Sequence, residues 1–212
     1  MQVNPPDIKC FKDSIEKFYK IENLRGEIYW RCINLIDKNL KLGEDQVESR
    51  LDAYLLLLTS WNTANFRRTI SEDFDTFKTT ISSCEDGFSK FEDKNFQNID
   101  FEKYRRDISD IFNKLSTVNA ILYTGASKVM HLRNPKVFLM WDTKIRGSEG
   151  YRIKGKDGNA YVDFLKMAQR LFSKIFPDID KILLKDKHKN KTITKAIDEY
   201  NYVKITKSKN NH

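Results

Sequence analysis

Residues 45–62 read DQVESRLDAYLLLLTSWN. Val47, Leu51, Tyr54, Leu55 and Leu58 recur at steps of four, three, one and three, the period of a helix with one apolar face. Leu56 and Leu57 widen that face until little is left for solvent. The spacing predicts a central, mostly buried helix, which needs other elements packed around it. The leucines then stop abruptly at Thr59-Ser60-Trp61-Asn62, and Arg67 and Arg68 follow. A buried helix ending in small polar residues and tryptophan reads as a helix end lining a cleft. The alternative is a capped terminus with two solvated arginines.

Outward from this helix the same period repeats. On the N-terminal side, Asn4-Pro5-Pro6-Asp7 caps a helix carrying Ile15, Phe18 and Tyr19. A second follows with Ile28, Cys32, Leu35 and Ile36, ending near Leu42-Gly43, and Gly26 kinks or separates the pair. On the C-terminal side, Phe74, Phe77, Ile81, Phe88 and Phe91 mark one or two short acidic helices joined near Asp86-Gly87. Phe101 to Leu122 is strongly helical through Tyr104, Ile108, Ile111, Phe112, Leu115 and Val118. Tyr151 to Ala160 contains Lys156-Asp157-Gly158-Asn159, a turn signal, and reads as a short hairpin or exposed loop. Tyr161, Phe164, Leu165, Ala168, Leu171 and Phe172 mark a helix ending at Phe176-Pro177. Ile193, Ala196, Ile197, Tyr200 and Val203 mark the last. The expected fold is an all-α, compact globule of eight to ten helices with a minor β hairpin at most. It is a single helical domain, 1–212, with room for two lobes around a cleft, 45–125 and 1–44 plus 126–206.

Composition bounds the function. A 212-residue chain with 40% apolar and 12% aromatic residues can bury a sizeable core. The eight Gly and four Pro are too few for a turn-rich all-β fold. The formal charge of +8 favours polyanionic partners. The charge is also segregated. Ser71 to Asp100 holds eight acids and three lysines, whereas Lys181 to His212 holds nine lysines and three acids. Cys10, Cys32 and Cys84 form no CxxC pair and no zinc spacing, so no metal or other cofactor is expected and the thiols read as reduced. The longest apolar run, Ala53 to Leu58, is too short to span a membrane, and no signal-peptide apolar region precedes it. These features point to an intracellular protein without a membrane partner. They do not set an oligomeric state.

The most informative chemistry lies in residues 125–146, GASKVMHLRNPKVFLMWDTKIR. Leu122 to Lys128 reads as a tight small-residue turn joining two helices. Amides opening the second helix there would suit a phosphate, with Lys128 adding charge. A five-residue apolar run, Val137 to Trp141, reads as a buried strand-like segment and ends in Asp142, a carboxylate at the edge of the core.

These residues resemble motifs of the helix-hairpin-helix DNA glycosylase superfamily. Leu122, Thr124, Ala126 and Lys128 match its hairpin position by position, and Met140-Trp141-Asp142 matches the segment carrying its catalytic aspartate. Thr124 and Ala126 stand where the family has glycines. The resemblance implies a base-excision DNA glycosylase, with β-elimination lyase activity, that flips a damaged base from the duplex. Lys128 would be the nucleophile and Asp142 its electrostatic or proton-transfer partner. Trp61, Asn62 and Trp141 would line the base pocket. Thr124, Gly125, Ala126, Ser127 and Arg146 would hold the DNA phosphates. Two other readings compete with this: a helical nucleic-acid-binding protein without catalysis, and a helical interaction protein unrelated to DNA.

Overall fold

The computed structural model describes residues 6–41, 48–61, 63–148, 150–184, 186 and 190–207, and the described residues are all-α, without a strand. Asp7 caps α1 (Ile8–Ile21) by accepting from the Cys10 amide. The chain breaks at Glu22, and α2 (Asn23–Lys41) starts before Gly26, so the glycine lies inside a helix and separates nothing. The predicted stop at Leu42-Gly43 and the start at Val47 lie outside the described residues. α3 (Glu48–Trp61) packs along α2 and buries Leu51, Ala53, Tyr54, Leu57 and Leu58, while Leu55 is half-buried and Leu56 exposed, so its apolar face is narrower than the sequence suggests.

α4 (Thr63–Ser82) is one continuous helix. It stops at Ser83-Cys84, three residues before the expected joint, and α5 (Glu85–Ser89) contains Gly87. α6 (Arg105–Ser116) buries Ile108, Ile111, Phe112 and Leu115. It packs on α9 (Gly158–Phe172), which Asp157 caps through the Ala160 amide. The two backbones touch at Gly158, where a Cβ would lie 2.4 Å from Cα of Ser109. No side chain fits there, so this glycine serves close approach, and the expected loop chemistry is the start of a helix. α10 (Phe176–Leu183) has Pro177 in its first turn, where the missing N–H costs nothing. α11 (Ile193–Asn201) follows, continued by a π-helical turn, Tyr202–Thr206.

α7 (Leu122–Arg133) is deeply buried: every residue from Gly125 to Arg133 is shielded from solvent. It is walled by α3, by α6 and by the chain that follows it. That chain, Val137 to Trp141, is the predicted strand-like segment. It is buried, but Val137 closes a turn, residues 138–141 are irregular, and no strand is present among the described residues. Its first two amides, of Val137 and Phe138, donate to Asn134 O, and side chains meet several of the groups that follow, since buried peptide groups need partners. Nδ1 of His131 donates to Phe138 O at 2.7 Å. The Tyr161 hydroxyl donates to Leu139 O at 2.7 Å. The Trp141 amide donates to Oγ of Ser127 at 2.9 Å. One continuous apolar cluster, from Phe11 to Ile197, joins these helices.

Candidate functional site

The turn expected at Gly125 lies earlier. The chain reverses over 117–121 and enters α7 through Leu122, which takes a left-handed φ of 51°. The Gly125 amide already bonds to Ile121 O at 3.0 Å. Gly125, Ala126 and Ser127 are buried inside the helix and cannot present amides to a phosphate. Their assignment as nucleic-acid contacts is corrected on that ground. The small residues allow close helix packing, and Ser127 tethers the Val137–Trp141 segment. Thr124, half-buried in the first turn of α7, retains some access to solvent.

The Ser127–Trp141 bond joins the two segments one residue before Lys128 and Asp142, whose charges act on one another. Lys128 is 6% exposed. Its ammonium donates to Trp61 O at 2.6 Å. That carbonyl ends α3, where unpaired carbonyls and the helix dipole favour a cation. Burial pushes the Lys128 amine down to about 8, with Arg25 adding to the effect while Asp142 and Asp198 oppose it. Asp142 is half-buried and caps α8 (Thr143–Arg146), its Oδ1 accepting from the Ile145 amide at 2.7 Å. Its Oδ2 accepts from the Thr206 hydroxyl at 3.2 Å. The carboxylate and the amine influence each other electrostatically without a direct ion pair among the described contacts.

Around this pair lies a buried polar layer that the sequence reading missed. Lys195 and Glu199 of α11 and the neighbouring Lys191 have side chains wholly removed from solvent. The Lys195 ammonium lies 3.3 Å from Asp198 and 3.4 Å from Glu199. It also sits over the rings of Phe18, Tyr29 and Trp61 at 4.7, 4.8 and 5.2 Å. Lys191 lies 2.5 Å from Glu199 and donates to the Tyr19 hydroxyl at 3.0 Å. Burial raises Asp198 to about 6, against the pull of Lys195. Helical periodicity marks only the apolar positions Ile193, Ala196, Ile197, Tyr200 and Val203. The usable signal was Lys195 followed three and four residues on by Asp198 and Glu199, a spacing that allows ion pairs along one helix.

The remaining expected residues divide. Trp61 is half-buried at the end of α3, and its buried Nε1 has no hydrogen-bond partner among the described residues. Asn62 lies outside the described residues. Trp141 is wholly buried, stacked on Phe164 and flanked by Phe112 and Tyr161, so it builds the core and lines no pocket. Arg146 is half-buried with its guanidinium 4.9 Å from the Tyr123 ring, and Lys156 stands 5.7 Å from the same ring. Tyr123 also bonds to Thr143 at 2.8 Å, which sets this cationic corner one residue from Asp142.

Among the described residues no group of three or more His, Cys, Asp or Glu could hold a metal ion, and no helix is long and apolar enough to cross a membrane. No protein-family model matches the chain, no curated protein matches its sequence, and no solved structure matches its fold.

Proposed function

We propose that this protein acts on DNA as a base-excision enzyme, with Lys128 as the reacting amine. The observation that carries this reading is a buried lysine lowered to about 8, within electrostatic reach of the half-exposed carboxylate of Asp142. An ordinary lysine is almost fully protonated at neutral pH and cannot attack. One near 8 supplies a substantial neutral fraction.

The amine would attack C1′ of the damaged nucleotide and expel the base, or condense with the aldehyde of an abasic site and release water. Loss of a proton from C2′ of the resulting iminium then expels the 3′ phosphate. Hydrolysis returns the lysine. Asp142, nearest the solvent side, stabilises the cationic sugar or takes the proton. Trp61 would contribute a ring and an N–H without a partner, and the half-buried Thr124 and Arg146 would meet the phosphates. An intracellular, nucleoid-associated place of action goes with this reading. Borohydride trapping on abasic-site DNA tests it. A covalent adduct is expected from the natural protein and none from Lys128→Gln. Absence of any adduct or base release between pH 7 and 9, over a panel of lesions, overturns it.

A second reading is favoured by the Lys128–Trp61 bond. There the lysine serves as the cap of α3, and the protein binds nucleic acid without chemistry. It requires DNA affinity in Lys128→Gln that differs from the natural protein by one charge at most.

A further inference from the structure

Away from Lys128, the segment before α9 and one face of that helix enclose a cavity of about 370 Å³. Arg152, Lys154, Lys166 and Arg170 line it, with Ile153 and Met167 as its apolar part. Its one acid, Asp163, already holds Arg105 at 2.7 Å. Lys166 is engaged by Glu102. Arg152, Lys154 and Arg170 form no ion pair and no side-chain hydrogen bond among the described residues. Three unpaired cations converging on one concavity repel one another unless an anion joins them.

The backbone adds a second observation. Arg152 has a left-handed φ of 47°, rare for a residue with a Cβ. Such strain persists only where the surroundings enforce it, and it gathers at ligand sites. Here it sets an arginine in the lining of the cavity. The same segment continues to Lys156, which stands with Arg146 at Tyr123, so the cationic surface runs on from the cavity towards Asp142.

We infer that this cavity is a phosphodiester-binding groove, a second nucleic-acid contact separate from the Lys128 pair. A chain of phosphates suits several cations spread along one groove better than a single small anion does. A membrane face is flat and does not enter a concavity. The inference rests on the nucleic-acid reading above but not on its chemistry.

The test is fluorescence anisotropy of labelled single-stranded and duplex oligonucleotides over a range of salt. The triple variant Arg152→Ala/Lys154→Ala/Arg170→Ala should bind about tenfold or more weakly near 0.1 M salt. Its slope of log affinity against log salt should shrink by about two to three. A control triple on α1, Lys9→Ala/Lys12→Ala/Lys17→Ala, removes the same charge from another face and should leave the slope unchanged. Circular dichroism confirms that both variants fold. Equal losses in the two triples would reduce the groove to a net-charge effect and overturn the inference. Failure of the natural protein to bind either oligonucleotide also overturns it, as does groove-dependent binding of phosphatidylserine vesicles in preference to DNA. Full binding by Lys128→Gln, together with no borohydride adduct from the natural protein, would sink the Schiff-base reading and leave the groove standing.

Discussion

The middle of α7 and its C-terminal end bury cations in opposite ways. Near its C-terminus, Arg133 meets Glu85 at 2.9 Å and Glu92 at 2.8 Å. Burial works against that guanidinium, but the two carboxylates outweigh it and hold its pKa above the usual value. Five residues earlier, Lys128 touches only a carbonyl, and burial wins. The helix, the depth and the sign of the charge are shared. The difference is whether a carboxylate makes contact. A contacting pair fixes the charge as part of the architecture, whereas a carbonyl alone leaves a proton that can be given up. A buried group ready to lose its proton is the more useful marker of chemistry.

The contrast can be broken most directly by deletion. Arg133→Ala should cost about 3 to 5 kcal/mol, because it leaves the largely buried Glu85 without its partner. Lys128→Met should cost only about 1 to 2 kcal/mol, the loss of one hydrogen bond to Trp61 O. Urea unfolding measures both, and equal losses would erase the distinction.

Between them lies His131, the neutral member of the helix. The Phe138 carbonyl only accepts, so Nδ1 carries the proton and Nε2 accepts from the Tyr29 hydroxyl at 2.9 Å. Burial lowers this imidazole to about 3. Below its ordinary pKa near 6.5 the unfolded chain takes a proton that the folded chain refuses. Stability therefore falls as pH drops from about 6.5 towards 3, by an amount on the order of 4 kcal/mol. Asp198, raised to about 6, acts the other way between about 4 and 6, where the folded state holds the extra proton. In His131→Asn the acid loss should shrink, and the Asp198 slope should emerge as stability that rises on acidification from pH 6 to 5.

The alkaline side belongs to Lys128. Its folded pKa lies below the unfolded value near 10.5, so its burial is most costly below pH 8. That cost is relieved as pH rises from 8 to 10.5, which makes the folded state relatively more stable by about 3 kcal/mol. The difference in unfolding free energy between the natural protein and Lys128→Met should change by that amount over the window. No change would mean that Lys128 keeps its ordinary pKa. The smallest effect is expected at Asp142→Asn. Asparagine still caps α8, so stability should change by less than about 1 kcal/mol. Removal of the carboxylate that raises Lys128 should move the amine below about 8, read as a downward shift in the pH midpoint of borohydride trapping.

The sequence made parts of this legible and hid others for a physical reason. The apolar faces of α3, α6 and α9 were readable, because each repeats with the turn of its own helix. Asp142 was readable as a carboxylate closing a buried run, whereas Lys128, expected where a helix opens, lies inside the buried stretch of α7. The hairpin turn was misplaced because Gly125 is the usual residue for a bend, yet the left-handed position went to Leu122. Trp141 was drawn into the pocket because tryptophan lines pockets and cores alike. Only its packing against Phe112, Tyr161 and Phe164 decides between them.

What the chain determined by itself is the all-α class, since helical period, sparse glycine and proline, and end caps act within a few residues of one another. The tertiary structure alone decided which charges lie inside. Lys128 is buried by the end of α3, 67 positions away in the chain. Lys195 is enclosed by rings from α1, α2 and α3. Desolvation depends on atoms brought from distant segments, so no local pattern records it, and the reactivity of a buried amine is settled only once the helices have closed around it.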